Sequence, residues 1–158
     1  MCAKSIIFYT FAAKMTNMKQ ITIKVAWNNS AFEGLVSSET SYGEMKIVTK
    51  DFNDIIDMGE AELKIGFDGY TEFGLELPEW YKNKEYEFVY KFQDVTAMLK
   101  AYSSYVSLAA ISRETGINSA LLSHYANGLK VPRNKQQKII VAGLHRIGAL
   151  LSKCTIDD

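Results

Sequence analysis

The stretch at residues 107–132 constrains the fold most, because two helix-length patterns there are separated by a turn that contains glycine. The spacing of apolar residues predicts a first helix at Leu108–Thr115 with one buried stripe. Gly116 is expected to end this helix, because glycine adopts the left-handed backbone conformation without the steric cost of a Cβ atom. Asn118 is placed to cap a second helix at Ser119–Ala126. The sequence therefore predicts a helix-turn-helix.

The second of these helices separates apolar from polar side chains around its circumference. At about 100° per residue, Leu121, Leu122 and Tyr125 share one side, which is suited to packing on the first helix. The opposite arc holds short, uncharged residues, namely Ser119, Ala120, Ser123, His124 and Asn127. Small hydrogen-bonding groups can approach base edges in a DNA major groove. The arc is therefore a candidate base-reading surface, and two packed helices without DNA binding are the alternative.

The residues after the second helix complete an arrangement that is known from other proteins. Gly128 is expected to stop the helix, and Pro132 is expected to prevent its resumption. The order of helix, turn glycine, second helix and G-x-x-x-P exit resembles the helix-turn-helix of the lambda repressor and Cro family. Ser112 departs from the pattern, since such motifs usually have alanine there, but serine is also small. This resemblance implies binding to double-stranded operator DNA.

Positive charge is concentrated near the C-terminus, although the formal net charge of the 158-residue chain is zero. From residue 101 onward, seven Lys and Arg stand against three Asp and Glu, which gives +4 there and −4 in residues 1–100. Several of these cations directly follow the predicted second helix, where they favour contacts with DNA phosphates. A solvated surface is the alternative. The candidate phosphate contacts are Asn118, Lys130, Arg133 and Lys135, assisted by the N-terminus of the second helix.

The first part of the chain predicts a small sheet covered by one helix. Alternating apolar and polar residues predict strands near residues 21–27, 32–36, 44–48 and 85–92. A helix is expected at residues 50–65, between the third and fourth strands. The order β-β-β-α-β indicates an α+β lobe, in which a mainly antiparallel sheet has a helix across one face.

The expected helix at residues 50–65 has an apolar stripe and an acidic outer side. The stripe consists of Phe52, Ile55, Ile56, Leu63 and Phe67, and Gly59 within it indicates a close approach to the sheet. Thr49 or a nearby group is expected to cap the helix start. The acids on the other faces are Asp51, Asp54, Asp57 and Glu60. They are expected to form a solvated face, and a relict nuclease that uses Asp51 or Asp54 with a metal is a distant alternative.

A second resemblance is based on the segment KFQDVTAMLKAY and, after it, the motifs L-S-H-Y-A-x-G-L-K-x-P-R and L-H-R-I-G. With the preceding β-β-β-α-β lobe, these motifs are similar to the HicB family of type II antitoxins, most closely over residues 86–151. The resemblance implies a partial ribonuclease H-like lobe at residues 19–92 and a helix-turn-helix domain at residues 93–158. It also implies that the first lobe neutralises a HicA-type ribonuclease toxin, while the second represses the operon. A stand-alone repressor with a ligand- or protein-sensing first lobe is the alternative.

The last predicted helix, beyond Asn134, has more apolar residues than one helical hairpin needs. These residues are Ile139, Ile140, Ala142, Leu144, Ile147, Leu150 and Leu151. They either close the core of their own lobe or form a dimer face. Repressors usually reach palindromic half-sites as two-fold dimers, which favours a homodimer or higher homo-oligomer.

The remaining sequence features predict no catalytic, cofactor or metal site. Cys2 and Cys154 are too few and too distant for a disulfide framework or a metal site, which favours the cytoplasm. His145 lies beside an apolar stripe and is expected to be structural. No apolar run reaches membrane-spanning length. Residues 1–18 are expected to be an unstructured leader or an overextended start, and the chain is not expected to be an enzyme.

Overall fold

The computed structural model describes residues 18–37 and 45–156. The fold is α+β, and the described residues form a four-stranded mixed sheet and six helices. The chain divides into two compact units, Met1–Lys91 and Phe92–Asp158, whereas the sequence analysis places the division after residue 92. The expected leader lies outside the described residues, except for Met18.

None of the helices in the described ranges is long and apolar enough to span a membrane.

The N-terminal unit contains the sheet, and its last strand reaches the boundary between the units. Its elements are β1 (Lys19–Asn28), β2 (Ala31–Ser37), β3 (Met45–Thr49), α1 (Asp54–Glu72), α2 (Glu79–Lys82) and β4 (Tyr86–Phe92). The strand order is β3-β2-β1-β4. The pairs β1–β2 and β2–β3 are antiparallel. Because the sheet is mixed, β4 runs parallel to β1.

A two-residue turn sets the register of the first hairpin. Asn29 and Ser30 have φ angles of 48° and 62°, as both central residues of a type I′ turn require. The turn pairs Asn28 with Ala31, and the register continues to the pair Ile23 and Val36. One face of the sheet is buried as a result, and its side chains include Ile21, Ile23, Val25, Phe32, Val36 and Ile47.

Helix α1 packs on this face through a stripe centred on Gly59. A Cβ atom added at Gly59 would lie 3.3 Å from both Ile23 Cδ1 and Phe88 Cζ, so the predicted close approach is confirmed. Ile55, Leu63 and Phe67 are also buried on the stripe. Glycine at this position allows the helix axis to come nearer to the sheet than a larger residue would.

The predicted bounds of α1 and the inward position of Ile56 were wrong. Residues 50–53 form a turn in which Asp51 Oδ1 accepts a hydrogen bond from the Asn53 N–H at 2.9 Å, so the helix starts later. Thr49 does not cap it, since its hydroxyl accepts from the Asp51 N–H at 3.2 Å, ahead of the helix, and donates to Asp54 Oδ2 at 3.0 Å. The helix continues to Glu72, beyond the predicted end at residue 65. Ile56 lies beside the buried stripe and is 44% exposed.

The C-terminal unit is helical after the last residue of β4. Its helices are α3 (Val95–Ala101), α4 (Leu108–Thr115), α5 (Ser119–Ala126) and α6 (Asn134–Leu151). They share one core, which consists of Val95, Met98, Leu99, Ile111, Leu122, Tyr125 and Ile140. The predicted bounds of α4 and α5 are confirmed.

Only part of the apolar surface of α6 enters this core. Ile140 is fully buried, and Leu144 and Ile147 pack against the core as partly buried residues. Leu150 and Leu151 are 70% and 59% exposed. The helix therefore closes its own unit along one stripe and presents apolar side chains at its C-terminal end.

Candidate nucleic-acid interface

The turn between α4 and α5 is fixed by hydrogen bonds on both sides. Gly116 has φ 72°, and its N–H donates to the carbonyl of Ser112 at 2.9 Å. The Thr115 hydroxyl donates to the Ile111 carbonyl at 2.6 Å and accepts from the Ile117 N–H at 3.2 Å. These bonds satisfy backbone groups that a helix end otherwise leaves unpaired. The direction in which the chain leaves α4 is therefore defined.

Helix α5 begins at Asn118, as the sequence predicts. Asn118 Oδ1 accepts a hydrogen bond from the Ala120 N–H at 2.8 Å. The side chain thereby satisfies one of the free N–H groups of the first turn, which is the role of an N-cap. Asn118, Ser119 and Ala120 are all exposed, so the first turn of α5 is accessible to solvent.

The opposite side of α5 is anchored in the core. Leu122 and Tyr125 are 0% and 3% exposed, respectively. The Tyr125 hydroxyl donates to Gln136 Oε1 of α6 at 2.8 Å, and its carbonyl accepts from the Thr96 hydroxyl of α3 at 2.7 Å. Leu121, the third predicted contact, is partly buried beside this core. Contacts with α3 and α6 therefore hold α5 in place while its outer side stays accessible.

The predicted polar arc is accessible to different degrees along its length. Ser119, Ala120 and Asn127 are exposed, whereas Ser123 and His124 are partly buried. Asn127 Nδ2 donates to the Ser123 carbonyl at 2.9 Å and lies 3.4 Å from the Ser123 hydroxyl. The amide nitrogen of Asn127 is therefore directed to its own helix, and its carbonyl oxygen is the group left for an external donor.

His124 is the residue of the arc whose surroundings are least evident from the sequence. Its Nδ1 atom is buried and has no hydrogen-bond partner among the described residues. The residue as a whole is partly exposed, and Nε2 is not one of the buried atoms without a partner, so Nε2 is the ring nitrogen that an external group can reach. His124 therefore does not have the fully solvated ring of an ordinary surface histidine.

The chain leaves α5 through a turn that again depends on glycine. Gly128 has φ 70°, its N–H donates to the Tyr125 carbonyl at 3.1 Å, and the Leu129 N–H donates to the His124 carbonyl at 2.9 Å. This pair of bonds is a Schellman motif. It ends α5 where the sequence predicts, and the buried Pro132 follows two residues before α6.

The cations after α5 are exposed and have no acidic partner among the described residues. Lys130, Arg133, Lys135 and Lys138 are exposed, and none of them forms an ion pair with another described residue. Three of them lie at the N-terminal end of α6, whose first turn contains no acid. The partial positive charge of a helix N-terminus adds to theirs. This region therefore attracts anions.

One other cation of the C-terminal unit, Arg146, does pair with an acid of the same unit. Arg146 on α6 forms an ion pair with Glu114 of α4, and its Nη2 also donates to the Glu114 carbonyl at 3.1 Å. Glu114 is the single acid between Asp94 and Asp157 in the sequence. Within the described part of the chain, Glu114 pairs with Arg146 and not with the cations at residues 130–138.

The sequence analysis missed two exposed apolar residues in the loop between α5 and α6. Leu129 and Val131 are 71% and 86% exposed, on either side of Lys130. Side chains of this size could contact sugar or thymine methyl groups beside a groove. The sequence signal for their exposure was their position between Gly128 and Pro132. A loop this short contains no helix or strand with a face that could be buried.

The other residues considered in the sequence do not gather into a site. Asp51, Asp54, Asp57 and Glu60 are exposed on and before α1, in agreement with a solvated face. His145 is exposed, so its expected structural role was wrong. The described residues contain no group of three or more His, Cys, Asp or Glu side chains that could hold a metal ion.

No known protein family, curated protein or solved structure matches the chain.

Proposed function

We propose that α4 and α5 form a helix-turn-helix that binds double-stranded DNA sequence-specifically, with α5 in the major groove. The observation that carries this proposal is that α5 combines a buried anchor with an accessible face of small polar residues. A helix of eight residues is about 12 Å long at 1.5 Å per residue, which is comparable with the width of the major groove, about 12 Å. Ser119, Ala120, Ser123, His124 and Asn127 would face the bases.

The charges beside α5 support phosphate binding on the same side of the unit. Lys130, Arg133 and Lys135 are exposed cations without acidic partners among the residues described. The capped first turn of α5 and the first turn of α6 add N–H groups and partial positive charge. In this arrangement Asn118 and these cations would hold phosphates, and would position α5 without reading sequence themselves.

We further propose that the chain is an antitoxin of the HicB type. The sequence motifs at residues 86–151 support this reading, and the charge of the first unit agrees with it. Residues 1–91 contain 14 Asp and Glu and 10 Lys, which gives −4. An acidic unit suits a basic, RNA-binding partner such as a HicA-type ribonuclease toxin. Residues 19–92 would then be the partial ribonuclease H-like lobe that neutralises the toxin.

The antitoxin would repress its own operon as a homodimer or a higher homo-oligomer. The exposed Leu150 and Leu151 at the end of α6 supply apolar surface for such an association. Two-fold symmetry would present two copies of α5 to palindromic half-sites about one helical turn of DNA apart. A stand-alone repressor with a sensing first unit remains the second candidate, supported by the same C-terminal surface.

Duplex binding is tested by selecting tight binders from a random duplex library and measuring their affinity by fluorescence anisotropy at several salt concentrations. Changing both Lys130 and Arg133 to alanine is expected to weaken binding to all sequences. Each lost phosphate contact should reduce the slope of log affinity against log salt concentration by about 0.9. The matched control is Lys153→Ala, an exposed cation beyond the end of α6, which should leave the slope unchanged. An unchanged slope in the double variant would contradict the phosphate assignment.

The antitoxin function is tested by co-expressing the chain with the product of the neighbouring gene. We expect the two proteins to co-purify, and the complex to suppress the ribonuclease activity of the partner. A duplex-binding protein that neither associates with that product nor inhibits it would favour the stand-alone repressor instead.

A further inference from the structure

His124 has one nitrogen in the protein interior and the other available to a ligand. Its Nδ1 is buried without a hydrogen-bond partner among the residues that the structure describes, whereas Nε2 is not one of the buried atoms without a partner and the residue as a whole is partly exposed. The backbone on both sides of the ring is fixed, because the His124 carbonyl accepts from the N–H groups of Leu129 and Lys130 at 2.9 and 3.3 Å. The backbone position of His124 is therefore set by the end of α5 and the loop after it.

The burial of Nδ1 decides which tautomer this histidine adopts. A neutral imidazole has one N–H group, which can be on either nitrogen. A proton on Nδ1 would be a buried donor without an acceptor, which costs more free energy than leaving a lone pair there. The proton is thus favoured on Nε2.

From this geometry we infer that His124 acts as a hydrogen-bond donor through Nε2, and pairs with an acceptor atom of the bound DNA. The inference rests on the proposed duplex binding. In the major groove the acceptors are purine N7, guanine O6 and thymine O4, whereas the amino groups of adenine and cytosine are donors. A donor at His124 therefore favours the acceptor atoms and disfavours the amino groups. Phosphate oxygens are acceptors too, so the acceptor belongs either to a base or to the backbone.

The test compares three variants of His124 on the duplex obtained by selection. Glutamine places an amide N–H near the position of Nε2, asparagine places it near Nδ1, and alanine places none. We expect His124→Ala and His124→Asn to weaken binding about 10- to 100-fold, the effect of one lost base contact. His124→Gln should stay close to the wild type. Circular dichroism of each variant shows whether the unit is folded.

The acceptor is identified on modified duplexes. Replacing single purines by 7-deazapurines removes N7, replacing guanine by 2-aminopurine removes O6, and replacing thymine by 5-methyl-2-pyrimidinone removes O4. Replacing single phosphates by methylphosphonates removes a charged backbone acceptor. We expect one modified position to weaken the wild type and to have no effect on His124→Ala. A 7-deazapurine with this behaviour identifies a base contact, and a methylphosphonate identifies a backbone contact.

Two results would overturn the inference. One is that His124→Asn binds like the wild type while His124→Gln binds like His124→Ala, because the contact would then come from the Nδ1 side. The other is that no thymine O4, guanine O6, purine N7 or phosphate substitution distinguishes the wild type from His124→Ala. If the wild-type protein binds no duplex at all, the proposed function itself is refuted. That outcome differs from the two results above, because there is then no affinity to compare between variants.

Discussion

The two units differ in the charge of the first turns of their helices. In the N-terminal unit, α1 has Asp54 and Asp57 in its first turn, and α2 has Glu79. In the C-terminal unit, the first turns of α4, α5 and α6 contain no acid. Carboxylates near a helix N-terminus neutralise its partial positive charge. Acids therefore offset the partial positive charge at the helix starts of the first unit, whereas no acid in the first turn does so for α4, α5 and α6 of the second unit.

The units also differ in how the helix starts are capped. Helices α3, α4 and α5 begin with Asp94, Ser107 and Asn118, whose side chains each accept a backbone N–H. At the start of α1, the Asn53 side chain makes no cap bond and instead donates to Asp51 at 2.9 Å. Helices of seven or eight residues are too short to be stable alone. Capping and packing therefore contribute more in the C-terminal unit, while the 19-residue α1 depends on its contact with the sheet.

The largest expected effect comes from removing one buried leucine in each unit. Leu63 and Leu122 are 2% and 0% exposed, so Leu63→Ala and Leu122→Ala should each cost about 2–5 kcal/mol of unfolding free energy. Urea denaturation followed by circular dichroism measures this loss. Duplex affinity should fall with Leu122→Ala and persist with Leu63→Ala. Equal losses of affinity would contradict the assignment of binding to the C-terminal unit.

A smaller effect is expected where α4 and α6 approach each other. A Cβ atom at Gly143 would overlap Thr115 Cγ2, and Thr115 cannot rotate away without losing its bonds to Ile111 and Ile117. Overpacking costs about 1–3 kcal/mol, so Gly143→Ala should lower the unfolding free energy despite a gain in helix propensity of about 1 kcal/mol. Gly148→Ala in the same helix meets no atom within 4 Å. This control should be more stable than the wild type in thermal denaturation.

The smallest effect concerns the caps. Asn118→Ala should cost about 1 kcal/mol, the usual loss for an N-cap, because the Ala120 N–H loses its acceptor. Asn53→Ala at the start of α1 should cost less, since Asn53 makes no cap bond. Chemical denaturation of both variants compares the two losses. Equal losses would mean that the units do not differ in their dependence on caps.

The sequence determines the C-terminal helices more directly than α1, because their limits are local. Gly116 ends α4 and Asn118 caps α5 through local backbone geometry, without any distant contact. The end of α4 and the start of α5 therefore follow from these two residues. The start of α1 depends on a turn at residues 50–53, and its length depends on packing against the sheet. Ile56 is as apolar as a core residue but lies beside the buried stripe of α1. Its exposure is set by the angle of the helix on the sheet, which one sequence does not specify.

The candidate interface shows the same limit at the level of single atoms. The polar arc of α5 and the cations after it can be located from spacing alone. Burial of His124 Nδ1 could not be predicted, because it depends on how the end of α5 meets the following loop. The bond between Asn127 and Ser123 likewise changes which group of Asn127 faces outward, although the sequence identifies both residues.

The hydrogen bond between the Tyr125 hydroxyl and Gln136 has a consequence for the kind of DNA that the proposed interface would accept. It joins α5 to the first turn of α6, beside which the cations are concentrated, so the spacing between these two elements is restrained. A duplex with an unusually narrow or wide groove would have to deform before it could contact both α5 and the first turn of α6. The protein would thereby discriminate between sites by DNA flexibility, including base pairs that it never touches.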